Sequence, residues 1–483
     1  VRKIAIVAAE IAPDAKAGGL ADVVAALPRA MAGRGAEPCV ILPGYQALLQ
    51  RPGTRTIAED LSAPLGPDHE PFRLLRTDEG GIPLYLIDHP GFFARAGIYG
   101  EASRDYPDNL RRYIFFGRAA AVVAGLLRPD VVHAHDWHAA TLPIVMRADH
   151  SLRARFAQTL AVFTIHNLAF QGIFPAIDYP LLGLDWSWYT IDHLEFHNQV
   201  NLMKGAITFA DGASTVSPSY ALEVASDPSL GFGLEGVLHA KGNRFVGILN
   251  GADYDEWNPL HDDLIPRHFS PTRRIGKARC RDALRRRLKL PARDDAPIIA
   301  MVTRMTPQKG IDLVAEALDR IMSLGAQFVM LSGGDPAQER FFTEAEARYP
   351  DAFRLLVGFD NALAHQIQAG SDIFLMPSRF EPCGLTQMYA LKYGTVPIVR
   401  GTGGLRDTVK EFDSATGIGN GFVFDEYDAD AMMAAVERAV TAFHDDIHWR
   451  RLLGNCFHAN FSWDRAAREY LEWFERLRAI ARQ

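Results

Sequence analysis

Five clusters of polar residues each follow a short apolar run, and each combines side chains that can bind an oxyanion or a sugar. The first is Lys16-Ala17-Gly18-Gly19-Leu20-Ala21-Asp22. Paired glycines where a strand hands over to a helix let backbone approach a ligand closely. The first N–H groups of a helix lack partners and its dipole favours an anion there. Lys16 adds a charge beside that position. Taken alone, the same pattern equally describes a plain strand-to-helix turn with a surface lysine. The second cluster is His133-Ala134-His135-Asp136-Trp137-His138. Three histidines and an aspartate invite a metal reading. No matching ligand cluster appears elsewhere in the sequence, and a strand's carboxyl end suits hydrogen bonds to sugar hydroxyls better, against the plain reading of a satisfied polar patch. The third is Thr164-Ile165-His166-Asn167, followed by the aromatic Phe170. Polar groups beside an aromatic face suit a sugar, although a lone histidine is more often structural.

The fourth cluster, Thr303-Arg304-Met305-Thr306-Pro307-Gln308-Lys309-Gly310, sets two cations at the start of a helix. Arg makes paired hydrogen bonds to phosphate oxygens and Lys acts as a point charge, which together would form a diphosphate site. Two solvated surface cations are the plain alternative. The fifth runs from Pro377 through Ser378, Arg379, Phe380, Glu381, Pro382, Cys383, Gly384, Leu385 and Thr386 to Gln387. Glu381 at a strand end can accept hydrogen bonds from sugar hydroxyls, and the N–H groups near Gly384 and Thr386 can meet phosphate or sugar oxygens. Otherwise Glu381 merely complements a helix dipole. A glycine turn, Gly401-Thr402-Gly403-Gly404, follows the next strand; a dinucleotide fingerprint would need glycine where Arg406 stands.

The elements that position these clusters alternate short apolar strands with amphipathic helices. Strands are expected at 3–8, 38–42, 84–87, 131–135, 160–164 and 213–216. A helix is expected through Leu20, Val23, Val24, Leu27 and Met31, ended by Gly33 and Gly35. A second series opens at 245–249 and continues at 298–303, 327–332, 354–357, 373–376 and 396–399. This alternation predicts doubly wound parallel sheets, which bind ligands at the carboxyl ends of their strands. The polar stretch 258–272 reads as a hinge. Trp463, Ala467, Tyr470, Phe474, Leu477 and Ala481 mark a final helix with Ser462 as its N-cap. The domains are therefore expected at 1–245, 246–460 and 461–483.

The 483 residues are 48% hydrophobic and 23% charged with a net charge of -7, which argues against a nucleic-acid binder. Four dispersed cysteines read as a reduced, cytoplasmic protein. Glu10, Pro13, Asp14 and Lys16 interrupt the only apolar run that resembles a signal peptide, and no stretch approaches the roughly 20 apolar residues that span a bilayer. Neither membrane nor nucleic acid is expected as a partner.

In this order, the five clusters together with Asn250-Gly251-Ala252-Asp253 and Gly401 through Asp407 resemble the bacterial glycogen synthase and plant starch synthase family. The resemblance spans nearly the whole chain. It implies a GT-B fold, two Rossmann-like domains facing a central cleft, with the acceptor side in the first and the nucleotide-sugar site in the second. It implies a retaining hexosyltransferase that moves glucose from ADP-glucose to the non-reducing end of an α-1,4-glucan such as glycogen, without metal or cofactor. By resemblance Lys16, Gly18, Gly19 and Asp22 belong to the donor diphosphate site. Asp136, His166 and Asn167 hold or shape the glucose site, Asn250 lies at the cleft rim, and Tyr99 lines the donor or acceptor side. Arg304 and Lys309 neutralise the leaving diphosphate. Glu381 binds glucose hydroxyls, and Cys383, Gly384, Leu385 and Thr386 complete that pocket. The catalytic set is then Glu381, His166, Arg304 and Lys309.

Two positions depart from the pattern. Ala17 replaces a usual threonine, and Tyr389 stands where the wider retaining group has a second glutamate. A retaining glycosidase needs two carboxylates about 5 Å apart. The sequence offers one strong candidate, Glu381, so front-face attack is expected, with the departing phosphate taking the acceptor's proton, the cations and helix amides stabilising the diphosphate, and the His166 carbonyl stabilising the sugar. Domain closure would assemble the site. The rivals are a phosphorylase or epimerase on the same plan, and a non-catalytic glucan-binding descendant. A phosphorylase would need a pyridoxal-phosphate lysine in context. The second would have lost Lys16, Arg304, Lys309 or Glu381.

Overall fold

The computed structural model describes residues 1–101 and 104–481. The chain forms two compact units. One comprises Val1–Gly251 together with the stretch from Trp463; the other is Ala252–Ser462.

The first unit is built on a nine-stranded sheet. Its strands are β1 (Lys3–Val7), β2 (Glu37–Pro43), β3 (Arg55–Leu65), β4 (Asp68–Glu79), β5 (Ile82–Asp88), β6 (Val131–His135), β7 (Leu160–Ile165), β8 (Gly212–Thr215) and β9 (Phe245–Gly247), in the order β9-β8-β7-β6-β1-β2-β5-β4-β3. The central strands pair in parallel, and β6, β7 and β8 are buried along their whole length. Strands covered on both faces read as continuous apolar runs. From β1 the chain winds outward through β2 and β5, then returns to lay β6 on the other side of β1. The switch point therefore falls between β1 and β6. In such sheets it is where ligands bind, beyond the carboxyl ends of the strands.

Two features differ from expectation. An antiparallel hairpin, β3 and β4, extends the sheet beyond β5. Only Ala63 and Leu65 of β3 are buried, so this edge carries no apolar run to reveal it. The strand starting at Phe245 departs from the second series that the sequence predicts for it. It pairs in parallel with β8 and closes the first sheet, which moves the boundary to Gly251. The reason is geometric: β8 has an open edge there, and Gly247 rests against the Ser217 carbonyl where a side chain would collide at 2.2 Å.

The second unit carries β10 (Ile298–Met305), β11 (Gln327–Gly334), β12 (Phe353–Val357), β13 (Ile373–Met376), β14 (Val396–Arg400) and β15 (Phe422–Phe424). All pair in parallel, in the order β12-β11-β10-β13-β14-β15. This is the Rossmann winding, with its switch point between β10 and β13. The stretch 258–272, read as a hinge, is pinned to this unit. Asp262 accepts hydrogen bonds from the Tyr393 hydroxyl and His365 Nδ1, and Trp257 lies between the rings of His365 (3.7 Å) and Tyr389 (4.2 Å). Aromatic stacking and a shared buried carboxylate outweigh the local polarity that suggested a loose linker.

The helix Trp463–Ala481 packs on the first unit; residues 482 and 483 of the expected segment lie outside the described residues. Its buried face carries Trp463, Tyr470, Trp473, Phe474 and Leu477. Gly212 makes the room, since a Cβ there would lie 2.5 Å from Leu477 and 2.8 Å from Trp473. Arg34 holds the helix start through both carboxylate oxygens of Asp464, at 2.8 and 2.6 Å. Trp473 is 1% exposed. Trp473→Ala is expected to destabilise the first unit by about 3–5 kcal/mol, measured as a lowered denaturant midpoint in chemical unfolding; a change within error would show that this helix contributes little to the core.

Candidate functional site

In the second unit the switch point is flanked by the segments that follow β10 and β13. After Arg304, a single 3-10 turn, Pro307–Lys309, leads to Gly310 at φ +68. A Cβ on Gly310 would lie 2.0 Å from the Pro377 carbonyl oxygen. Only glycine allows this turn to rest directly on the loop after β13. Gln308 joins the same loop twice: its carbonyl accepts the Arg379 N–H at 2.8 Å, and its side-chain amide donates to the Phe380 carbonyl at 3.3 Å.

These contacts place Lys309 Nζ 2.6 Å from Glu381 Oε2, and the Ser378 hydroxyl donates to the same oxygen at 3.0 Å. Glu381 is 6% exposed. The glycine turn after β14 closes over the loop from the other side. Gly403 has φ +46, and a Cβ there would stand 2.0 Å from the Glu381 carbonyl oxygen. Gly404 N–H donates to that same carbonyl at 3.1 Å. Further along, the buried Gln387 amide donates to the carbonyls of Cys383 (3.0 Å) and Gly384 (3.1 Å) and to Thr408 Oγ1 (3.2 Å). Leu385 and Thr386 are half-buried at the start of the helix Thr386–Lys392, and Arg304 is exposed. The loop that carries Ser378, Glu381, Cys383 and Gly384 is thus folded against the turn that carries Lys309. Lys309 is already paired with Glu381 rather than standing as an unopposed cation. Tyr389 stacks on Trp257 and belongs to the packing of the unit.

In the first unit β1 leads to Glu10, which composition and spacing gave no reason to single out beyond its place after an apolar run. Its carboxylate is 4% exposed. Oε2 accepts the N–H groups of Ala17 and Gly18, each at 2.8 Å, and Oε1 accepts the Tyr99 hydroxyl at 2.6 Å. The N–H groups that Ala17 and Gly18 turn inward are thus both taken by the chain's own Glu10. Lys16 Nζ lies 2.6 Å from Asp22 Oδ1 on the exposed surface of the turn. A surface ion pair of this kind is worth about 0–1 kcal/mol and yields readily to a stronger anion.

Beyond β6, Asp136 adopts φ +55, the left-handed region that non-glycine residues rarely visit and that recurs at functional sites. Its Oδ1 accepts the His166 N–H at 2.7 Å. Burial pushes the Asp136 carboxyl up to about 7, the charge of Glu10 acts the same way, and the His166 and Asn167 N–H groups oppose it. Burial pushes His166 down to about 3 and His138 well below its ordinary range. The imidazoles are therefore neutral at pH 7. Tyr99 stacks on the His138 ring at 4.4 Å. Asn167 turns its side-chain oxygen onto the Ala169 N–H at 3.1 Å. Asn250 is buried, and among the described residues its Oδ1 has no hydrogen-bond partner. A buried oxygen of that kind is normally satisfied by water or ligand.

Comparison with known proteins bears on the whole chain. Residues 3–240 match the family model for the starch synthase catalytic domain, and residues 283–443 match that for glycosyl transferases group 1. A glycogen synthase of Anaeromyxobacter dehalogenans is 44% identical over 97% of this chain and 98% of its own. Glycogen synthase 2 of Geobacter sulfurreducens is also 44% identical, over 97% of each chain. The catalytic domain of starch synthase IV from Arabidopsis thaliana, solved with ADP and acarbose bound, superposes with a TM-score of 0.90 at 36% identity over 99% of both chains. Sucrose-phosphate synthase from Thermosynechococcus elongatus shares the fold alone, at 18% identity and a TM-score of 0.60.

The raised Asp136 carboxyl predicts a pH dependence. The folded state keeps a proton that the unfolded chain releases near the ordinary aspartate value of about 3.9. Stability is therefore lost as pH rises from about 4 through about 7. Asp136→Asn removes this term. The unfolding midpoint of the native protein should fall relative to Asp136→Asn between those two pH values; a constant difference between the two proteins would contradict the assignment.

Proposed function

We propose, from the premise that this chain belongs to the bacterial glycogen synthase and plant starch synthase family of GT-B glucosyltransferases, that its donor is ADP-glucose and its acceptor the non-reducing end of an α-1,4-glucan. The observation that carries the reading is the seat at the second unit's switch point, where Lys309, Ser378 and Glu381 converge on one loop. The ADP held by the Arabidopsis starch synthase structure favours adenine over uridine nucleotides.

Arg304 and Lys309 stabilise the charge that builds on the leaving diphosphate. Lys309 exchanges part of its bond to Glu381 for phosphate, and the freed carboxylate oxygen accepts a sugar hydroxyl. Cys383, Gly384, Leu385 and Thr386 line the same pocket, with the Gln387 amide holding its backbone. In the first unit Lys16, Asp22 and the Gly18–Gly19 turn make an anion-binding element, and Asp136, His166, Asn167, Asn250 and Tyr99 are the polar groups suited to sugar hydroxyls. The acceptor O4–C1 bond forms on the face from which the C1–O(phosphate) bond breaks, the departing phosphate takes the acceptor proton, and configuration is retained. The low value of His166 supports this route, because an imidazole that burial holds near 3 is a poor base for the acceptor proton, which leaves the phosphate to take it. Four free cysteines suit a reducing cytoplasm, and among the described residues no helix is long and apolar enough to cross a membrane.

Two measurements test the reading. Incubation with glycogen and labelled ADP-glucose or UDP-glucose should place label in polymer from the adenine donor; no label from either would overturn it. Arg304→Ala should lower kcat by about 10²–10³-fold at an unchanged thermal midpoint, because Arg304 is exposed. Lys309→Ala leaves the buried Glu381 without its counter-charge, so its kinetics are read beside a melting curve. Near-native turnover in both variants would remove the cations from the mechanism.

A further inference from the structure

Behind His166 lies a chain of buried polar groups that the proposed mechanism does not use. His133 and His135 are both fully buried on β6, with ring centroids 4.1 Å apart. His133 Nε2 lies 2.6 Å from Thr164 Oγ1, which lies 2.7 Å from Ser214 Oγ. His135 Nδ1 lies 2.9 Å from His166 Nε2. His166 is thus held twice by consecutive residues: its backbone N–H by Asp136, its ring by His135.

We propose that His135 is a positioning residue, which fixes His166 as the tautomer protonated on Nδ1 and so presents it to its ligand as a hydrogen-bond donor.

One hydrogen atom must lie between His135 Nδ1 and His166 Nε2. If His166 supplies it, His135 carries its own proton on Nε2. That nitrogen is buried, and among the described residues it has no hydrogen-bond partner, so the arrangement orphans a buried N–H. If His135 supplies it, His135 Nε2 is left only as a lone pair, and His166 carries its proton on Nδ1. Orphaned buried N–H groups are rarer in folded proteins than under-satisfied acceptors, which selects the second arrangement. His166 Nδ1 is not among the buried unpartnered atoms, so solvent or ligand satisfies it in either tautomer and it does not oppose the choice. Burial holds both rings well below their ordinary values, so no doubly protonated imidazole competes. The tautomer that results matches an acceptor ligand atom, such as a hydroxyl or ring oxygen of a sugar, and this kinetic consequence rests on the glucosyltransferase reading above.

The test has a spectroscopic arm and a kinetic arm. In 15N-labelled native protein, long-range 1H–15N spectra should show His166 with a protonated Nδ1 and a bare Nε2. The reverse pattern would overturn the proposal whether or not the protein transfers glucose. In the kinetic arm, His135→Leu removes the donor, while His135→Asn sets an amide N–H where Nδ1 stands. Loss of one buried hydrogen bond of this kind should lower kcat by about 10–100-fold in His135→Leu, with little change in donor KM, and His135→Asn should recover most of it. Equal losses in the two variants, or native kcat in His135→Leu, would overturn the positioning role. If His135→Leu does not fold, the native spectrum and His135→Asn still decide the matter. Absence of glucose transfer by the native protein would instead count against the proposed function.

Discussion

The second unit is organised around one requirement: the Glu381 carboxylate, taken almost wholly out of water, must have its charge answered. Lys309 and Ser378 answer it at 2.6 and 3.0 Å. Breaking a buried pair by removing one partner typically costs about 3–5 kcal/mol, so the two segments that carry these residues cannot drift apart. The surrounding backbone follows from that demand. Gly310 lets the turn after β10 lie on Pro377, and Gly403 lets the turn after β14 lie on Glu381 itself. Gln308 and Gln387 complete the loop's hydrogen bonds from within.

The first unit solves a related problem with the opposite sign. Its glycine turn aims backbone donors at a point where an anion is wanted, and Glu10 supplies that anion from the chain itself. The same carboxylate holds Tyr99 and adds to the field that keeps the proton on Asp136. In both units these charged clusters sit where the winding of the sheet reverses, so the topology of the backbone fixes the address and the local side chains fix the charge.

Much of this was legible in the sequence. The parallel strands are mostly short apolar runs, and most lie within two residues of the ends their sequence predicts. Lys309 and Glu381 stood in clusters that followed such runs, which is why they could be named as candidates. What escaped has physical reasons. The hairpin β3–β4 is mostly exposed and lacks an apolar signature. Phe245–Gly247 looks like any short apolar strand, and its choice of sheet depends on the open edge of β8. The pairing of Lys309 with Glu381, seventy-two positions away, and of Ala17 and Gly18 with Glu10, arises only when loops fold onto one another. Tyr389 read as a departure from a wider catalytic pattern; its flat stacking on Trp257 is a packing role that no local spacing encodes.

The first unit is interrupted: the chain leaves it at Gly251 and returns at Trp463. On the ribosome the intervening unit emerges complete before the last helix is made, a delay of roughly ten to forty seconds at ordinary elongation rates. Throughout that interval the surface destined for Tyr470, Trp473 and Phe474 is open, and His133, which those rings will cover at 5.2 and 5.5 Å from Tyr470 and Phe474, is open with it. A nascent chain therefore carries a finished second unit joined to a first unit whose apolar flank still faces water, vulnerable to aggregation until the helix Trp463–Ala481 is made.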